Sequence, residues 1–444
     1  MDIATLINVI EGNLINEGKI DKEINNIVID SRKANEGDVF IALNGKRCNG
    51  HDFIKEVIEK KVSGIIIDEE VEDFNTEIPI IKVENTYDSL LRIASYLRSK
   101  YNIPLIAVTG SNGKTTTKEL IYNILSTKYN VLKSINSNNN HIGVPLTLFE
   151  LKPEHEIVVL ELGMNHLGEI RKLSNVCKPN VAVITNIGTA HIGNLGSKKK
   201  IFKAKMEILK GMNKGYLVIN GDDKYLKKIK SRKHIIYRCG FKVNNQIYAY
   251  NIKTTINKSV FDIKVLDENY KLTFNVPSKH LITNVLLAIQ VGLLFKINIK
   301  DIVKVIEEYQ PLDKRMNIIK LKRNNVMIAD CYNSSYESLI GVLELIKKIP
   351  TNKVIILGDI LELGKYSKRI HLKIGKYLKK MKNTITLLVG KEMQVIKKCT
   401  KHFIDNEALI NYLKNKTFSN SIILIKGSRK MHLEEIKSYL EINY

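Results

Sequence analysis

One short stretch decides the fold of the central part of the chain: Val108-Thr109-Gly110-Ser111-Asn112-Gly113-Lys114-Thr115. An apolar segment (105–109) leads into it and a helical pattern (116–125) follows it. The two glycines permit a turn whose backbone N–H groups can face phosphate oxygens, and the N-terminus of the following helix attracts negative charge. Lys114 can then pair with nucleotide phosphates, and Thr115 can coordinate Mg²⁺. We predict a nucleotide-binding loop, shortened because residue 108 is valine; a glycine turn with an incidental lysine is the alternative.

Two polar side chains that follow other apolar segments are candidates for holding the metal ion that such a loop needs. Glu161 comes directly after the run 157–160, and His191 follows the run 181–185 after a short loop. Carboxyl ends of parallel strands meet at one edge of a sheet, so we expect the loop, Glu161 and His191 along that edge. Taken singly, each has a structural alternative: Glu161 could be a solvated carboxylate, and His191 could be a packed structural histidine. Together with the loop they favour a catalytic site.

Outward from the loop, apolar runs alternate with helical patterns, which indicates α/β layering throughout the chain. We expect a small α/β domain at residues 1–84 and a central P-loop ATPase-like α/β domain at 85–313, with an antiparallel insertion between 244 and 276. After Pro311 the pattern restarts, and residues 314–444 read as a doubly wound, Rossmann-like domain. The predicted fold is therefore α/β with three domains.

The composition of the 444 residues is that of a globular protein, with 44% hydrophobic and 26% charged residues. No apolar run approaches the roughly 18 residues needed to cross a bilayer. The N-terminus lacks the basic start of a secretory signal. The five cysteines include no CxxC pair, which argues against a disulfide framework and a zinc ribbon. We expect a soluble, cytoplasmic protein without membrane insertion, and a monomer.

The charge is the unusual feature of the composition, because 70 Lys and Arg against 46 Asp and Glu give a formal net charge of +24. Such an excess raises nucleic acid as a partner, and the densest basic stretch is 224–233. That stretch holds only one aromatic residue, Tyr225, and one arginine, Arg232. Surfaces that bind nucleic acid are usually rich in arginine and aromatic residues. We therefore expect a solvated basic surface and no nucleic acid; a basic nucleic-acid-binding P-loop ATPase is the alternative.

Motifs along essentially the whole chain resemble those of a known family. In chain order they are Asp30-Ser31-Arg32, Gly50-His51-x-Phe53, Thr109 to Thr115, Asn139-Asn140-His141-Ile142-Gly143-Val144-Pro145, Glu161-Leu162-Gly163-Met164-Asn165-His166, Ala190-His191, Ala204-Lys205-x-Glu207, Asp330-x-Tyr332-Asn333 and Lys426-Gly427-Ser428-Arg429. On these residues the chain resembles the ATP-dependent Mur ligases of peptidoglycan synthesis. It is most similar to the branch that joins D-alanyl-D-alanine to UDP-N-acetylmuramoyl-tripeptide; a sister amide ligase, such as a folylpolyglutamate synthase, is the alternative.

The resemblance implies a reaction and a set of catalytic residues. ATP would phosphorylate the tripeptide carboxylate, and the amine of D-alanyl-D-alanine would attack the acyl phosphate. The implied catalytic residues are Lys114, Glu161, His191 and Lys205. Mg²⁺ would be held by Thr115, Glu161, His191 and Lys205. A lysine ammonium cannot bind Mg²⁺, so the resemblance implies that the neutral amine of Lys205 adds CO₂ and becomes an anionic carbamate.

The resemblance also implies two sets of binding residues. Those expected at ATP are Gly110, Ser111, Asn112, Gly113, Lys114, Thr115, Thr116, Asn284, Arg315, Asp330 and Asn333. Those expected at the UDP-linked substrate or the dipeptide are Ser31, Arg32, Asn139, Asn140, Asn165, His166, Asp359 and Arg429. The chain departs from the family pattern at Asn136-Ser137, where Gly-Asn is usual, and at Ser334-Ser335-Tyr336, where Ala-Asn-Pro is usual.

Overall fold

The structure is a computed structural model that describes residues 1–46, 48–313, 315–397 and 399–444. Among these residues the strands form three sheets, of five, nine and six strands, which follow one another along the chain. The α/β class with three successive parts is thereby confirmed. The exact boundaries at 84/85 and 313/314 stay predictions.

The N-terminal sheet is made of short strands. They are β1 (Asn13–Leu14), β2 (Ile27–Val28), β3 (Val39–Ile41), β4 (Gly64–Ile67) and β5 (Ile80–Lys82), and the helices beside them are α1 (Ile3–Ile10), α2 (Ile54–Glu59) and α3 (Thr86–Ser99). The order is β1-β5-β4-β3-β2, with β1 antiparallel to β5 and the other pairs parallel. Strand β4 is apolar throughout because both faces are covered: Ile65 and Ile67 join one apolar cluster and Ile66 the other.

The central sheet carries the predicted nucleotide loop. Its strands are β6 (Leu105–Thr109), β7 (Val131–Lys133), β8 (Ile157–Glu161), β9 (Val181–Ile184), β10 (Gly215–Asn220), β11 (His234–Gly240), β12 (Ile247–Thr254), β13 (Ser259–Val265) and β14 (Glu268–Phe274). The order is β14-β13-β12-β11-β10-β9-β6-β8-β7. Neighbouring strands from β6 to β12 pair in parallel. Strands β12, β13 and β14 form the expected antiparallel insertion. This ribbon extends the edge of the parallel sheet.

Helices cover the central sheet, and α4 to α8 connect its parallel strands from β6 to β10. They are α4 (Lys114–Leu125), α5 (Gly143–Phe149), α6 (Glu169–Cys177), α7 (Ile192–Leu195), α8 (Lys198–Lys205), α9 (Lys279–Leu294) and α10 (Ile299–Glu308). Helix α9 is buried without interruption from Ile282 to Gly292, because it packs on α4 on one side and on the sheet on the other. Strand β6 lies between β8 and β9, so the chain crosses from one side of β6 to the other and leaves a crevice at its carboxyl end.

The C-terminal sheet is parallel except at one edge, as expected for a Rossmann-like unit. Its strands are β15 (Asn317–Lys320), β16 (Val326–Asp330), β17 (Asn352–Gly358), β18 (Thr384–Val389), β19 (Lys401–Phe403) and β20 (Ser421–Lys426), and its helices are α11 (Tyr336–Lys347), α12 (Ser367–Leu378), α13 (Asn406–Lys414) and α14 (Glu434–Asn443). The order is β15-β16-β20-β17-β18-β19, with β15 antiparallel to β16.

The five cysteines all lie in the described part of the chain, and all are free thiols. Cys177, Cys239 and Cys331 are buried, whereas Cys48 is exposed. Burial raises the pKa of Cys177 to about 12 and that of Cys331 to about 11. Within the described ranges, no helix combines the length and the apolar character that a membrane crossing requires.

Candidate active site

The loop between β6 and α4 needs glycine at two positions. Gly113 has φ +80°, and a Cβ there would lie 2.3 Å from Nδ2 of Asn284. A Cβ on Gly110 would lie 1.8 Å from Oγ1 of Thr185. The backbone of the loop therefore lies directly against these two side chains, and a larger residue at either glycine would push it out of place.

Segment 185–188, which follows β9, fixes the shape of the loop. The backbone N–H of Ser111 donates to Asn186 O (3.1 Å), and that of Asn112 donates to Asn186 Oδ1 (3.1 Å). In return, Thr185 Oγ1 donates to Asn112 O (2.6 Å), and Gly188 N donates to Ser111 Oγ (2.8 Å). These bonds hold the loop without a ligand, so little conformational entropy remains to be lost when phosphate binds.

Glu161 ends β8 beside the start of α4, as the sequence predicts. Its carboxylate is 1% exposed and accepts hydrogen bonds from Thr115 Oγ1 (2.6 Å) and Asn139 Nδ2 (2.7 Å). Among the described residues, no cation forms an ion pair with it. A buried carboxylate paired only with neutral donors suits a divalent cation, since Mg²⁺ prefers hard oxygen ligands. Thr115 and Glu161 therefore fit a magnesium site at this strand end.

Two lysines lie in the same region. Lys114 Nζ donates to Gly110 O (3.2 Å), and burial lowers its pKa. Lys205, the last residue of α8, is 1% exposed, and no described residue forms a hydrogen bond or ion pair with its Nζ. Burial, and next the charge of Lys114, hold the pKa of Lys205 well below its usual value, with Glu161 opposing them. Burial therefore favours the neutral amine of Lys205, which is the form that can react with CO₂.

His191 precedes α7 and has a left-handed backbone (φ +61°). Its Nδ1 lies 2.7 Å from Oε2 of Glu362, which belongs to the C-terminal domain. The two atoms are close but not aligned as a hydrogen bond, so Nδ1 is a buried nitrogen without an aligned partner among the described residues. His191 lowers the pKa of Glu362. Glu362 was not among the predicted site residues, because no local pattern connects it with a histidine in another domain.

A cavity of about 1110 Å³ collects most of the predicted residues. Of the residues expected at ATP, metal or substrate, it is lined by Ser111, Asn112, Gly113, Lys114, Thr115, Thr116, Asn139, Asn140, Glu161, Asn165, His191, Lys205, Asn284, Arg315, Asp330 and Asn333. Gly110 lies under the loop against Thr185. The walls come from the central sheet and from β16 and α11 of the C-terminal domain.

Besides Gly110, five predicted residues are not part of the lining: Ser31, Arg32, His166, Asp359 and Arg429. Several of them are engaged within their own domains. Arg32 donates two hydrogen bonds of 2.8 Å to Asp30 and holds the pKa of that carboxyl at about 2. Asp359 accepts the backbone N–H groups of residues 392 and 393 (3.1 and 2.9 Å). Their substrate contacts stay predictions.

The departure at 136–137 places an asparagine with a left-handed backbone and a serine in one loop. Asn136 has φ +51°, the left-handed conformation that glycine adopts easily and that asparagine tolerates better than most residues. Ser137 Oγ lies 3.4 Å from Thr115 Oγ1 and accepts a hydrogen bond from Arg315 Nη2 (3.2 Å). The serine thus connects the start of α4 with an arginine that precedes β15.

A fully buried lysine holds the same loop and was missed by sequence reasoning. Lys118 Nζ donates to Ser134 O (2.5 Å) and Asn136 O (2.8 Å) and lies 3.0 Å from Glu119 Oε1. A signal was present, because Lys118 stands four residues after Lys114 and therefore on the same face of α4.

The C-terminal domain closes the cavity through polar contacts. Glu337 accepts hydrogen bonds from Thr189 N (3.0 Å), Thr189 Oγ1 (2.7 Å) and Lys198 Nζ (2.9 Å). Ser335, one of the departures, caps α11 and donates to Asn112 Oδ1 (2.9 Å). The departure therefore places a hydroxyl against the nucleotide loop.

Beside these contacts, charged side chains of the C-terminal domain border the cavity. Lys426 Nζ donates to Asp330 Oδ2 (2.5 Å), and the Arg315 guanidinium lies 4.1 Å from the centre of the Tyr332 ring. Lys426 belongs to a quoted motif but was not a predicted site residue.

The fold and the loop define a P-loop nucleotide-binding protein with two further α/β domains. Models of the Mur ligase family match it in three places: the Mur ligase family catalytic domain at 23–97, the Mur ligase middle domain at 108–292, and the Mur ligase glutamate ligase domain at 314–429. A UDP-N-acetylmuramoyl-tripeptide--D-alanyl-D-alanine ligase of Buchnera aphidicola is 33% identical over 95% of this chain and 93% of its own length. The chain belongs to the Mur ligase family.

Solved structures of the family resemble the whole chain. MurF from Acinetobacter baumannii has a TM-score of 0.92 and 30% identity, covering 99% of this chain and 98% of that one. MurF from Thermotoga maritima, in complex with ADP, has a TM-score of 0.85 and 26% identity, covering 95% and 97%.

Proposed function

We propose that the chain is an ATP-dependent ligase that joins D-alanyl-D-alanine to UDP-N-acetylmuramoyl-tripeptide. One observation carries this proposal: the similarity to ligases with these substrates extends over 95% of the chain and so includes all three domains. A substrate as long as UDP-N-acetylmuramoyl-tripeptide has to contact more of the protein than the nucleotide-binding domain. Similarity confined to the central sheet would have supported only nucleotide binding.

The reaction requires that a poor electrophile be made reactive. The tripeptide carboxylate oxygen attacks the γ-phosphorus of ATP, and the bond to ADP breaks, giving an acyl phosphate. The dipeptide amine then forms the C–N bond, phosphate leaves with the C–O bonding pair, and the amine loses a proton. Phosphoryl transfer asks mainly for positioning and charge neutralisation. Lys114 and the backbone N–H groups of the loop would supply both at the β and γ phosphates.

Magnesium, when bound, neutralises phosphate charge during transfer. Thr115 and Glu161 fit one ion, because the buried carboxylate has only neutral partners among the described residues. His191 and a carbamylated Lys205 would hold a second, because both line the same cavity as Glu161 and the Lys205 amine is buried without a partner among the described residues. The carbamate would give Lys205 the oxygen ligands that an amine lacks.

The predicted binding residues complete the proposal. ATP is expected at Gly110, Ser111, Asn112, Gly113, Thr116, Asn284, Arg315, Asp330 and Asn333 in addition to the catalytic residues. The UDP-linked substrate and dipeptide are expected at Ser31, Arg32, Asn139, Asn140, Asn165, His166, Asp359 and Arg429. Asn139, Asn140 and Asn165 are the best supported of these, since they line the cavity.

The product would be the UDP-linked pentapeptide used in peptidoglycan synthesis, so the protein would act in cell-wall formation and thereby in cell shape and division. We propose that it works in the cytoplasm as a monomer. The dispersed lysines support small anionic substrates and not a nucleic-acid partner.

The test is phosphate release from ATP and Mg²⁺ with UDP-N-acetylmuramoyl-tripeptide and D-alanyl-D-alanine, using tripeptides with either common diamino acid as the third residue. We expect release that depends on both substrates and that Lys114→Met abolishes. Absence of dipeptide-dependent release with both tripeptides would refute the assignment. Parallel reactions with DNA or RNA test the alternative, which requires that nucleic acid stimulate ATP hydrolysis.

A further inference from the structure

Two residues with left-handed backbones face each other where the central and C-terminal domains meet. His191 has φ +61° and Glu362 has φ +64°, although neither is glycine. Such conformations are unfavourable for residues with a Cβ, and they persist where surrounding contacts hold them, often at functional sites. Their side chains meet, with Nδ1 of His191 2.7 Å from Oε2 of Glu362.

The backbone holds the two segments together independently of these side chains. Gly193 N donates to Glu362 O (2.9 Å), and a Cβ on Gly193 would lie 2.5 Å from that oxygen. Tyr366 O–H donates to Gly196 O at the other end of α7. The Glu362 loop is thus seated on α7, directly beside the histidine.

A histidine that binds a metal ion uses one ring nitrogen and needs a partner on the other. That partner, commonly a carboxylate, fixes the tautomer and the orientation of the ring. In this chain Nδ1 of His191 is buried without an aligned partner, and Glu362 is the carboxylate within reach of it. A hydrogen bond between this carboxylate and Nδ1 would leave Nε2 for the metal ion.

We propose that Glu362 is a positioning residue that holds the imidazole of His191 through Nδ1, with Nε2 directed at the metal site. Because Glu362 belongs to the C-terminal domain, His191 is oriented only when that domain packs against α7. The two domains therefore assemble the metal site together. This inference rests on the proposed function for the role of His191.

Binding of Mn²⁺, followed by electron paramagnetic resonance in the presence of a non-hydrolysable ATP analogue, tests the proposal on the full chain without the reaction. We expect Glu362→Gln to weaken about 10-fold the Mn²⁺ site that His191→Ala also weakens, the lower end of effects seen for such partners. Glu407→Gln, an exposed glutamate of α13 in the same domain, is the matched control and leaves Mn²⁺ binding unchanged. Thermal unfolding verifies that both variants fold.

The His191→Ala background shows whether Glu362 acts through the histidine. There, Glu362→Gln should have no further effect on Mn²⁺ affinity. Wild-type affinity in Glu362→Gln, or an equal loss in both backgrounds, overturns the proposal. These outcomes are separate from failure of the proposed function, which is absence of dipeptide-dependent phosphate release in the wild-type chain.

Discussion

Lys205 is the residue whose surroundings most alter its chemistry. A lysine of ordinary pKa would be a cation and would repel Mg²⁺, but burial and the neighbouring Lys114 favour its neutral form. Only the neutral amine has the lone pair that attacks CO₂. Burial thus favours the form of Lys205 that the proposed carbamylation requires.

We expect Lys205→Ala to lower kcat about 100-fold or more, the order seen when one group that stabilises transition-state charge is removed. Small carboxylates such as formate or acetate should restore part of the activity, because they can occupy the place of the carbamate. Phosphate release measures both effects. Lys203→Ala, on the exposed side of the same helix, is the control. Full activity of unrescued Lys205→Ala would contradict the assigned role.

Gly113 leads to a second prediction about a single residue. Alanine there meets Asn284 Nδ2 at 2.3 Å and has to adopt φ +80°, so the loop must shift. We expect Gly113→Ala to weaken ATP binding at least about 10-fold, which corresponds to roughly 1.4 kcal/mol. Gly196→Ala is the control. Its backbone has a similar φ, +76°, but nothing lies within 4 Å of the new Cβ.

Titration calorimetry with ATP measures the effect. Equal weakening of ATP binding by Gly196→Ala would show that the loss does not arise in the nucleotide loop.

At the scale of elements, the end of β7 and the loop after it are held by α4. Lys118 reaches from that helix to two backbone carbonyls of the loop, and the loop presents Ser137 and Asn139 to Thr115 and Glu161. The helix that begins at the nucleotide loop thus also positions the neighbouring strand end.

Lys118→Met should lower the free energy of unfolding by about 1–3 kcal/mol, because two buried carbonyls lose their donor. It should also raise KM for MgATP, since Asn139 and Ser137 lose their support. Denaturant unfolding and initial rates measure the two effects. Lys133→Met removes another partner of Glu119, a half-buried lysine, without touching the two carbonyls. An equal rise of KM in both variants would show that Glu119, and not the loop, matters.

Sequence patterns predicted the long elements better than the short ones. Strand β6 has the bounds expected from its apolar run, 105–109, whereas β1, β5, β7 and β19, of two or three residues each, are too short for an apolar pattern to show. Among the site residues, the loop and Glu161 follow from local pattern. Lys205 was identified only by resemblance, because nothing nearby distinguishes it from other lysines. Glu362 requires the fold, since its partner lies in another domain.

At the scale of the whole molecule, the formal net charge of +24 attracts small anionic substrates. Long-range attraction raises the rate of encounter and is screened by salt. We expect kcat/KM for the UDP-linked substrate to fall several-fold between about 50 and 300 mM salt, with kcat at saturation changing little. Steady-state kinetics with KCl and with a second salt, potassium acetate, measure the effect. A kcat/KM independent of both salts would show that the lysines do not steer the substrate.

The distribution of the cysteines makes the chain convenient to label. Burial shields Cys177, Cys239 and Cys331 and raises the pKa of each, and Cys399 is half-buried with a raised pKa, while Cys48 is exposed in the N-terminal domain. Thiolates, not thiols, react with maleimides. Titration with Ellman's reagent at neutral pH should therefore show one fast thiol, and Cys48→Ser should remove it. A fluorophore on Cys48 would then report movements of the N-terminal domain without further mutation.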